Sequence, residues 1–302
     1  MKLPTDASLA ELQHALQQQL PPNLDDTNAS ALVLLSHVLQ TPKTWVLAHP
    51  EARLNPGQHQ RFLNLVQRFA EGEPLPYLTG RQEFFGLEIM VTPAVLIPRP
   101  ETELLVEEAL AWLRAQPDPL SALDLGTGSG CIAAALASRL PSLRVTALDI
   151  SADALSLAAE NARALRVSER VTFMQADLIP AALPRFNLIC ANLPYIPTHK
   201  LSAVNSLPYE PAQALDGGTD GLRLLRRFFN QAPRHLSPGG LLLAETEADL
   251  GAETRSLALE AFPDAQVDPV SYTHLRAHAT VLDLVCRLLL EKKKPPPHPT
   301  TP

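Results

Sequence analysis

An α/β fold with a doubly wound parallel sheet and a small N-terminal helical domain is what this 302-residue sequence predicts. Three observations carry that reading. Short apolar strand-like runs alternate with helical stretches from residue 101 to 269, the pattern of right-handed crossovers in a parallel sheet. A glycine-rich turn, "LDLGTGSG" at 123–130, joins the first of those strands to the helix behind it. Residues 1–72, in contrast, keep helical spacing and contain no cluster of chemically reactive side chains.

Taken in order, "SLAELQHALQQQL" sets Leu9, Leu12, Leu16 and Leu20 at helical spacing, with Ser8 as N-cap and Glu11 three residues later. "NASALVLLSHVLQ" and "NPGQHQRFLNLVQRFAEG" continue the pattern, and Gly72 suits the stop of the last helix. Residues 1–72 are therefore expected to be a helical, substrate-recognising domain. From 73 to 100 prolines mark a connection, and apolar and aromatic residues on either side of Gly86 predict a short hairpin. "ETELLVEEALAWLRAQ" is an amphipathic helix opening the third region, 101–269. There "SALDLG", "RVTALDI", "VTFMQAD", "FNLICANLPY" and "GGLLLAET" read as strands. "GCIAAALASRL" and "SADALSLAAENARALR" read as helices, the second capped by Ser151 with Leu155 and Ala158 facing inward. Sheets of this kind bind ligands outside the carboxyl ends of their strands.

Composition narrows the function. The apolar fraction of 46 % and charged fraction of 19 % are those of a globular protein, and the net charge of −7 argues against a broad basic surface for a phosphate backbone. Cys131, Cys190 and Cys286 form neither a disulfide framework nor a CxxC spacing, and the nine histidines do not pair at ligand spacings, so no metal site is expected. The N-terminus lacks the apolar core of a signal peptide and no run is long enough to span a membrane, which predicts a cytoplasmic location. From Val270 the text "VSYTHLRAHATVLDLVCRLLLEKKKPPPHPTTP" changes to basic and proline-rich low complexity. It resembles the translation of a sequencing-library adapter, and residues 270–302 are expected to be a non-native tail whose "VLDLVCRLLL" is apolar enough to fill a strand position. Such an ending is expected to impair stability.

The chemistry concentrates at strand ends. Gly126, Gly128 and Gly130 let backbone approach a ligand closely, but the third glycine falls one residue early for a dinucleotide GxGxxG, where Cys131 stands instead. Asp124 opens this turn and Thr127 lies within it. Asp149 ends the next strand, a placement suited to two ribose hydroxyls, and Asp177 with Leu178 ends the one after. Acids at three consecutive strand ends point to a nucleoside-containing cofactor. After the fourth strand, "LICANLPYIP" at 188–197 supplies Asn192, Leu193, Pro194 and Tyr195, residues that suit either a turn or a site gripping a planar amide or base.

This order of motifs resembles the class I S-adenosylmethionine-dependent methyltransferases, whose sheet is Rossmann-like. The resemblance implies S-adenosyl-L-methionine as cofactor, its methionine part beside Asp124, Gly126, Thr127, Gly128, Gly130 and Asn192, its ribose on Asp149, and its adenine near Asp177 and Leu178. "NLPY" is similar to that family's motif for methylating planar nitrogens, with Leu193 in place of the commoner first proline. A planar nitrogen is a poor nucleophile because its lone pair is delocalised. Accepting both of its N–H bonds, at the Asn192 side-chain oxygen and the Leu193 carbonyl, orients it and draws the lone pair toward the methyl group, while Tyr195 stacks on the plane. "NLPY" also looks like the motif of ribosomal RNA adenine dimethyltransferases, which keeps a nucleic-acid adenine-N6 methyltransferase as the alternative.

Two flanking segments favour a protein substrate. "PLPYLTGRQEFFGLEIMVTPAVLIPRPETELLVE" at 74–107 and "LPYEPAQALDGGTDGL" at 207–222 resemble the protein-(glutamine-N5) methyltransferases that modify peptide chain release factors. That resemblance implies methylation of the glutamine in the Gly-Gly-Gln (GGQ) loop of class I release factors by a monomer that binds neither nucleic acid nor membrane. Arg99 and Glu210 are candidate substrate-binding residues; with Glu101 and Glu103, Arg99 either lines the approach to the pocket or forms a salt-bridged helix start. Glu245 comes near the site by topology. The family closes its sheet with two antiparallel strands, the first beginning at "AQVDPV".

Overall fold

The computed structural model describes residues 5–19, 27–117, 119–204, 208–271 and 283–289. It divides into two compact units, Met1–Arg81 and Gln82–Pro302.

The first unit consists of α1 (Leu9–Gln19), α2 (Thr27–Leu39), α3 (Lys43–Ala48), α4 (Pro56–Ala70) and α5 (Leu75–Thr79). Its helix starts are set locally. The Ser8 N–H donates to Glu11 Oε2 at 2.7 Å while the Glu11 N–H donates to Ser8 Oγ at 3.3 Å, the reciprocal capping box that the spacing predicts. Asn55 and Gln58 repeat it at α4, with Pro56 in the first turn, where its missing N–H costs nothing. Leu9, Leu12 and Leu16 pack in one buried cluster with Leu34, Leu35, Phe62 and Val66. The short helices α3 and α5 escape the sequence pattern, because five or six residues led by a proline give no readable period. Leu75 and Leu78 of α5 join the same cluster, so the unit runs to Arg81 and past the boundary at 72. Leu20 lies outside the described residues.

The second unit opens within the hairpin of β1 (Arg81–Phe84), from Gln82 on, and β2 (Leu87–Met90). Phe85 and Gly86 turn it at φ +53° and +74°, positive at both positions as a tight two-residue hairpin requires. The chain then runs through α6 (Thr102–Leu113), β3 (Ser121–Leu125), α7 (Cys131–Arg139), β4 (Arg144–Asp149), α8 (Ala152–Ala164), β5 (Val171–Gln175) and β6 (Phe186–Ala191). A small pair follows, β7 (Ile196–Pro197) and β8 (Asp216–Gly218), and then α9 (Arg223–His235), β9 (Leu236–Glu247), α10 (Gly251–Ala261), β10 (Gln266–Ser271) and β11 (Asp283–Leu289). Ser151 caps α8 as expected, accepting the Ala154 N–H at 3.2 Å. The face α8 buries is Ala154, Leu157, Ala158, Asn161 and Ala162; Leu155 sits at its edge, half-buried.

The main sheet has the order β10-β11-β9-β6-β3-β4-β5. The strands from β9 to β5 are all parallel. The expectation of two antiparallel closing strands is corrected. Only β11 is reversed, pairing antiparallel with both β9 and β10, so β10 keeps the common direction. The reason is the α10 crossover, which returns the chain parallel to where it left. The apolar run of the expected tail thus supplies the reversed strand at Asp283–Leu289, and the rest of 272–302 lies outside the described residues. From β3 the chain winds to β4 and β5 on one side and to β6 and β9 on the other. That reversal sets the turn after β3 beside the turn after β6, at the switch point where such sheets hold ligands. Under it lie Leu123, Leu125, Ile189 and Leu242 of the sheet, with Phe228 and Phe229 of α9.

Candidate active site

β3 ends at Leu125, and the chain turns through Gly126 (φ +72°) and Gly128 (φ +53°) into α7. The Gly126 and Thr127 N–H groups both donate to the Leu148 carbonyl at 2.9 Å, fastening the turn to β4. Behind it Asp124 is wholly buried, and its Oδ2 accepts the Thr127 hydroxyl at 2.6 Å and the Ala133 N–H at 3.1 Å. Burial pushes its pKa up to about 6, against the pull of those two hydrogen bonds.

A cavity of about 590 Å³ opens above the turn, large enough for a nucleoside-bearing ligand. Gly126, Thr127, Gly128, Asp149, Asp177, Leu178, Asn192, Leu193, Pro194 and Arg99 of the sequence-derived set line it. Asp124, Gly130, Tyr195 and Glu210 are not among the described residues that do. Each departure has a cause. Asp124 faces the back of the turn and holds it through Thr127 and Ala133. At Gly130 a Cβ would stand 2.9 Å from the Ala158 Cβ, so glycine there serves the approach of α7 to α8. Tyr195 turns toward β9, its hydroxyl donating to Glu245 Oε1 at 3.4 Å. Glu210 spends its carboxylate on Arg99 Nη2 at 2.6 Å and the Ile97 N–H at 3.0 Å. Arg99 is therefore ion-paired while lining the cavity. Of the two acids left open with it, Glu103 accepts the Phe85 N–H of the hairpin turn at 2.9 Å, and Glu101 stands at the N-cap of α6 without a side-chain capping bond.

Asp149 sits at the end of β4 with Oδ2 accepting the Gly128 N–H at 2.8 Å and Oδ1 accepting the Ser151 N–H at 2.9 Å. Each oxygen retains lone-pair capacity for a ligand hydroxyl. Asp177, beyond the end of β5, is held by Arg227 of α9 at 2.8 Å, and both line the cavity. Leu178 takes φ +64°, and its buried side chain forms part of the wall.

The segment after β6 is pressed onto the glycine turn. A Cβ on Gly126 would meet Leu193 Cδ2 at 3.2 Å and the Asn192 carbonyl oxygen at 3.3 Å, so a side chain there would push the two turns apart. Asn192 Nδ2 donates to Thr102 Oγ1 at 3.1 Å. Thr102 and Arg227 are cavity residues that sequence reading misses: "RPETE" and "RLLRRFF" show charge and helix period, and nothing local says which residues they meet.

The donor set fits an adenosyl cofactor. Space above Gly128 is open, since a Cβ there would find its nearest atom, the Gly126 carbonyl oxygen, at 4.0 Å. Asp149 offers acceptors for a diol, and Ile150 and Leu178 give apolar walls. Strand order, glycine turn and strand-end acid together define a class I methyltransferase. Residues 9–80 match the family model described as PrmC N-terminal domain, and residues 102–220 match the one described as methyltransferase small domain. The release factor glutamine methyltransferase of Geobacter sulfurreducens is 45 % identical over 215 residues, covering 70 % of this chain and 74 % of that protein. That of Moorella thermoacetica is 42 % identical over 265 residues, covering 85 % and 92 %. A solved methyltransferase structure from Pyrococcus furiosus superposes with a TM-score of 0.51 at 16 % identity, over 79 % of this chain and all of that one, which speaks for the fold. The chain belongs to the release factor glutamine methyltransferase family.

Proposed function

We propose that this protein transfers a methyl group from S-adenosyl-L-methionine to the side-chain amide nitrogen of the glutamine in the GGQ loop of class I peptide chain release factors. The observation that carries the reading is the Asn192-Leu193-Pro194 turn, which lines the cavity pressed against Gly126, in a chain 42–45 % identical to proteins named release factor glutamine methyltransferase. The cofactor, when bound, supplies an electrophilic methyl on a sulfonium. Gly126, Thr127 and Gly128 leave room for it, and Asp149 anchors it by its ribose. The residues after β6 do the rest. The Asn192 Oδ1 and the Leu193 carbonyl would accept the two amide N–H bonds and turn the nitrogen toward the methyl carbon. The N–CH₃ bond would form as the S–CH₃ bond breaks, the neutral thioether leaving in line and one amide proton passing to solvent. Leu193 in place of proline leaves that carbonyl unchanged. The mechanism asks for positioning and no strong base.

Pairing of Arg99 with Glu210 supports a role for both in shaping the approach to the cavity, with Arg99 the one within reach of substrate. No described helix is long and apolar enough to cross a membrane. A cytoplasmic monomer that does not bind nucleic acid belongs to the same reading, supported by the net charge of −7.

The test is transfer of label from S-adenosylmethionine to a purified class I release factor and, in parallel, to ribosomal RNA. Label on the release factor, lost when its loop glutamine is replaced, is the expected result. Label on the RNA alone overturns the reading in favour of an adenine-N6 methyltransferase.

A further inference from the structure

A carboxamide has two faces of opposite polarity, and a site that uses one as an acceptor must keep the other from turning in. Asn192 is such a case. Its side chain lies on the cavity wall, half-buried, and a 180° turn of its amide exchanges an acceptor for a two-proton donor at nearly constant shape. Among the described residues, the partner of that side chain is Thr102 Oγ1, 3.1 Å from Nδ2. Thr102 is 2 % exposed, begins α6, and donates its own N–H to the Arg99 carbonyl at 3.1 Å, so the hydroxyl is held on fixed backbone.

We infer that Thr102 is a positioning residue that holds the Asn192 amide by its NH₂, and through it makes the site select a carboxamide over a carboxylate. With the Asn192 NH₂ engaged by the Thr102 hydroxyl, Oδ1 is presented to the substrate as an acceptor. A glutamine side chain can donate to it; a glutamate at the same place brings only acceptors and faces oxygen with oxygen. Without the hydroxyl, the Asn192 amide is free to turn its NH₂ toward the cavity, where it meets a carboxylate better than an amide. The inference rests on the proposed function, since it presumes that the substrate nitrogen belongs to a glutamine.

The experiment compares wild type with Thr102→Val, which keeps the shape and loses the hydroxyl, and Thr102→Ser, which keeps the hydroxyl. Methyl transfer to a release factor is measured, with the same release factor carrying glutamate in its loop as competitor. Expected for Thr102→Val is a fall in kcat of about tenfold, the size of one net hydrogen bond, with S-adenosylmethionine affinity unchanged. The glutamate competitor, weak against wild type, becomes an effective inhibitor of this variant. Thr102→Ser recovers both kcat and discrimination. A Thr102→Val enzyme with wild-type discrimination overturns the inference, and so does a Thr102→Ser enzyme no better than Thr102→Val. A second readout is independent of the substrate: with ¹⁵N-asparagine label, the Asn192 side-chain NH₂ should show a proton protected from exchange in wild type and not in Thr102→Val. If wild type leaves release factors unlabelled, the functional reading fails on its own, and the NMR signal still decides whether Thr102 holds the amide; an unprotected NH₂ in wild type overturns the inference.

Discussion

Glu210 joins two segments of the second unit that are far apart in sequence: its Oε2 lies 2.6 Å from Arg99 Nη2 and its Oε1 accepts the Ile97 N–H at 3.0 Å. Its side chain is fully buried, while that of Arg99 is 36 % exposed. On one side of this junction Pro98 and Arg99 line the cavity, and on the other Pro211 and Ala212 do. One carboxylate therefore ties together two walls of the site.

Replacing Glu210 should show this in stability first. Glu210→Ala leaves the Ile97 N–H and the Arg99 guanidinium without their acceptor, and is expected to cost about 2–4 kcal/mol, toward the lower end because Arg99 reaches solvent. Glu210→Gln retains an oxygen for Ile97 and should lose less than half as much. Denaturant midpoints at constant slope give the comparison. A Gln variant as unstable as the Ala variant would show that the charge matters and the backbone bond does not.

The glycines of the turn should separate into two classes. Gly130→Ala forces a Cβ to within 2.9 Å of the Ala158 Cβ at φ +78°, a clash between two helices that is expected to cost about 1–3 kcal/mol. Gly128→Ala carries about 1 kcal/mol of left-handed backbone strain at φ +53°. It meets nothing nearer than 4.0 Å and projects into the open space of the cavity, so beyond that strain its effect should fall on S-adenosylmethionine affinity. Thermal melts and cofactor titrations of both variants check the split. Equal loss of affinity from the two would place Gly130 at the ligand after all.

These cases show where the sequence is legible. Elements specified by neighbours are readable: the Ser8 and Glu11 capping box, the Ser151 cap, the hairpin turn at Phe85 and Gly86, and the Asp149–Ser151 bond at the end of β4 each depend on residues a few positions apart. The partners of Asn192 and Glu210 are 90 and 111 residues away, and no period or spacing encodes such a meeting. For the same reason Asp124 and Gly130 look like ligand residues from their position in the turn, whereas their roles are decided by Thr127, Ala133 and Ala158 packed behind it. The direction of β10 depends on whether α10 intervenes, a helix absent from the sequence reading.

Two strand-end acids that look alike in the sequence should behave differently. Asp149 takes the N–H groups of Gly128 and Ser151, so Asp149→Ala removes the proposed ribose anchor and loosens the turn together. A loss of S-adenosylmethionine affinity of about a hundredfold is expected, equivalent to two good hydrogen bonds. Asp177 pairs with Arg227 at a site where both side chains are about half exposed, 53 % and 47 %, and such pairs contribute little. Asp177→Ala should change affinity a few-fold and leave stability within about 0.5 kcal/mol of wild type. Calorimetric titration decides it, and a ranking with Asp177 above Asp149 would sink the assignment of the ribose to Asp149.

Asp124 should leave a signature in the pH dependence of stability. Its carboxyl is wholly buried, and desolvation raises its pKa from the usual 3.8 to about 6 despite hydrogen bonds from Thr127 and Ala133. Between these values the unfolded chain ionises this group while the folded one holds the proton, so the unfolded state binds fewer protons and stability falls as pH rises. The destabilisation is absent below about pH 3, grows between about pH 4 and pH 6, and levels off at about 3 kcal/mol by about pH 7. In Asp124→Asn the amide oxygen can still accept from Thr127 and Ala133, and the NH₂ takes the place of Oδ1, which has no partner among the described residues. That unpartnered NH₂ costs the variant a fixed amount at every pH, because an amide does not titrate. The stability of wild type minus that of Asp124→Asn should therefore decrease by about 3 kcal/mol from pH 3 to pH 7. A difference that stays flat across that range would mean Asp124 is ionised in the fold, stabilised there by more than the two donors that reach it.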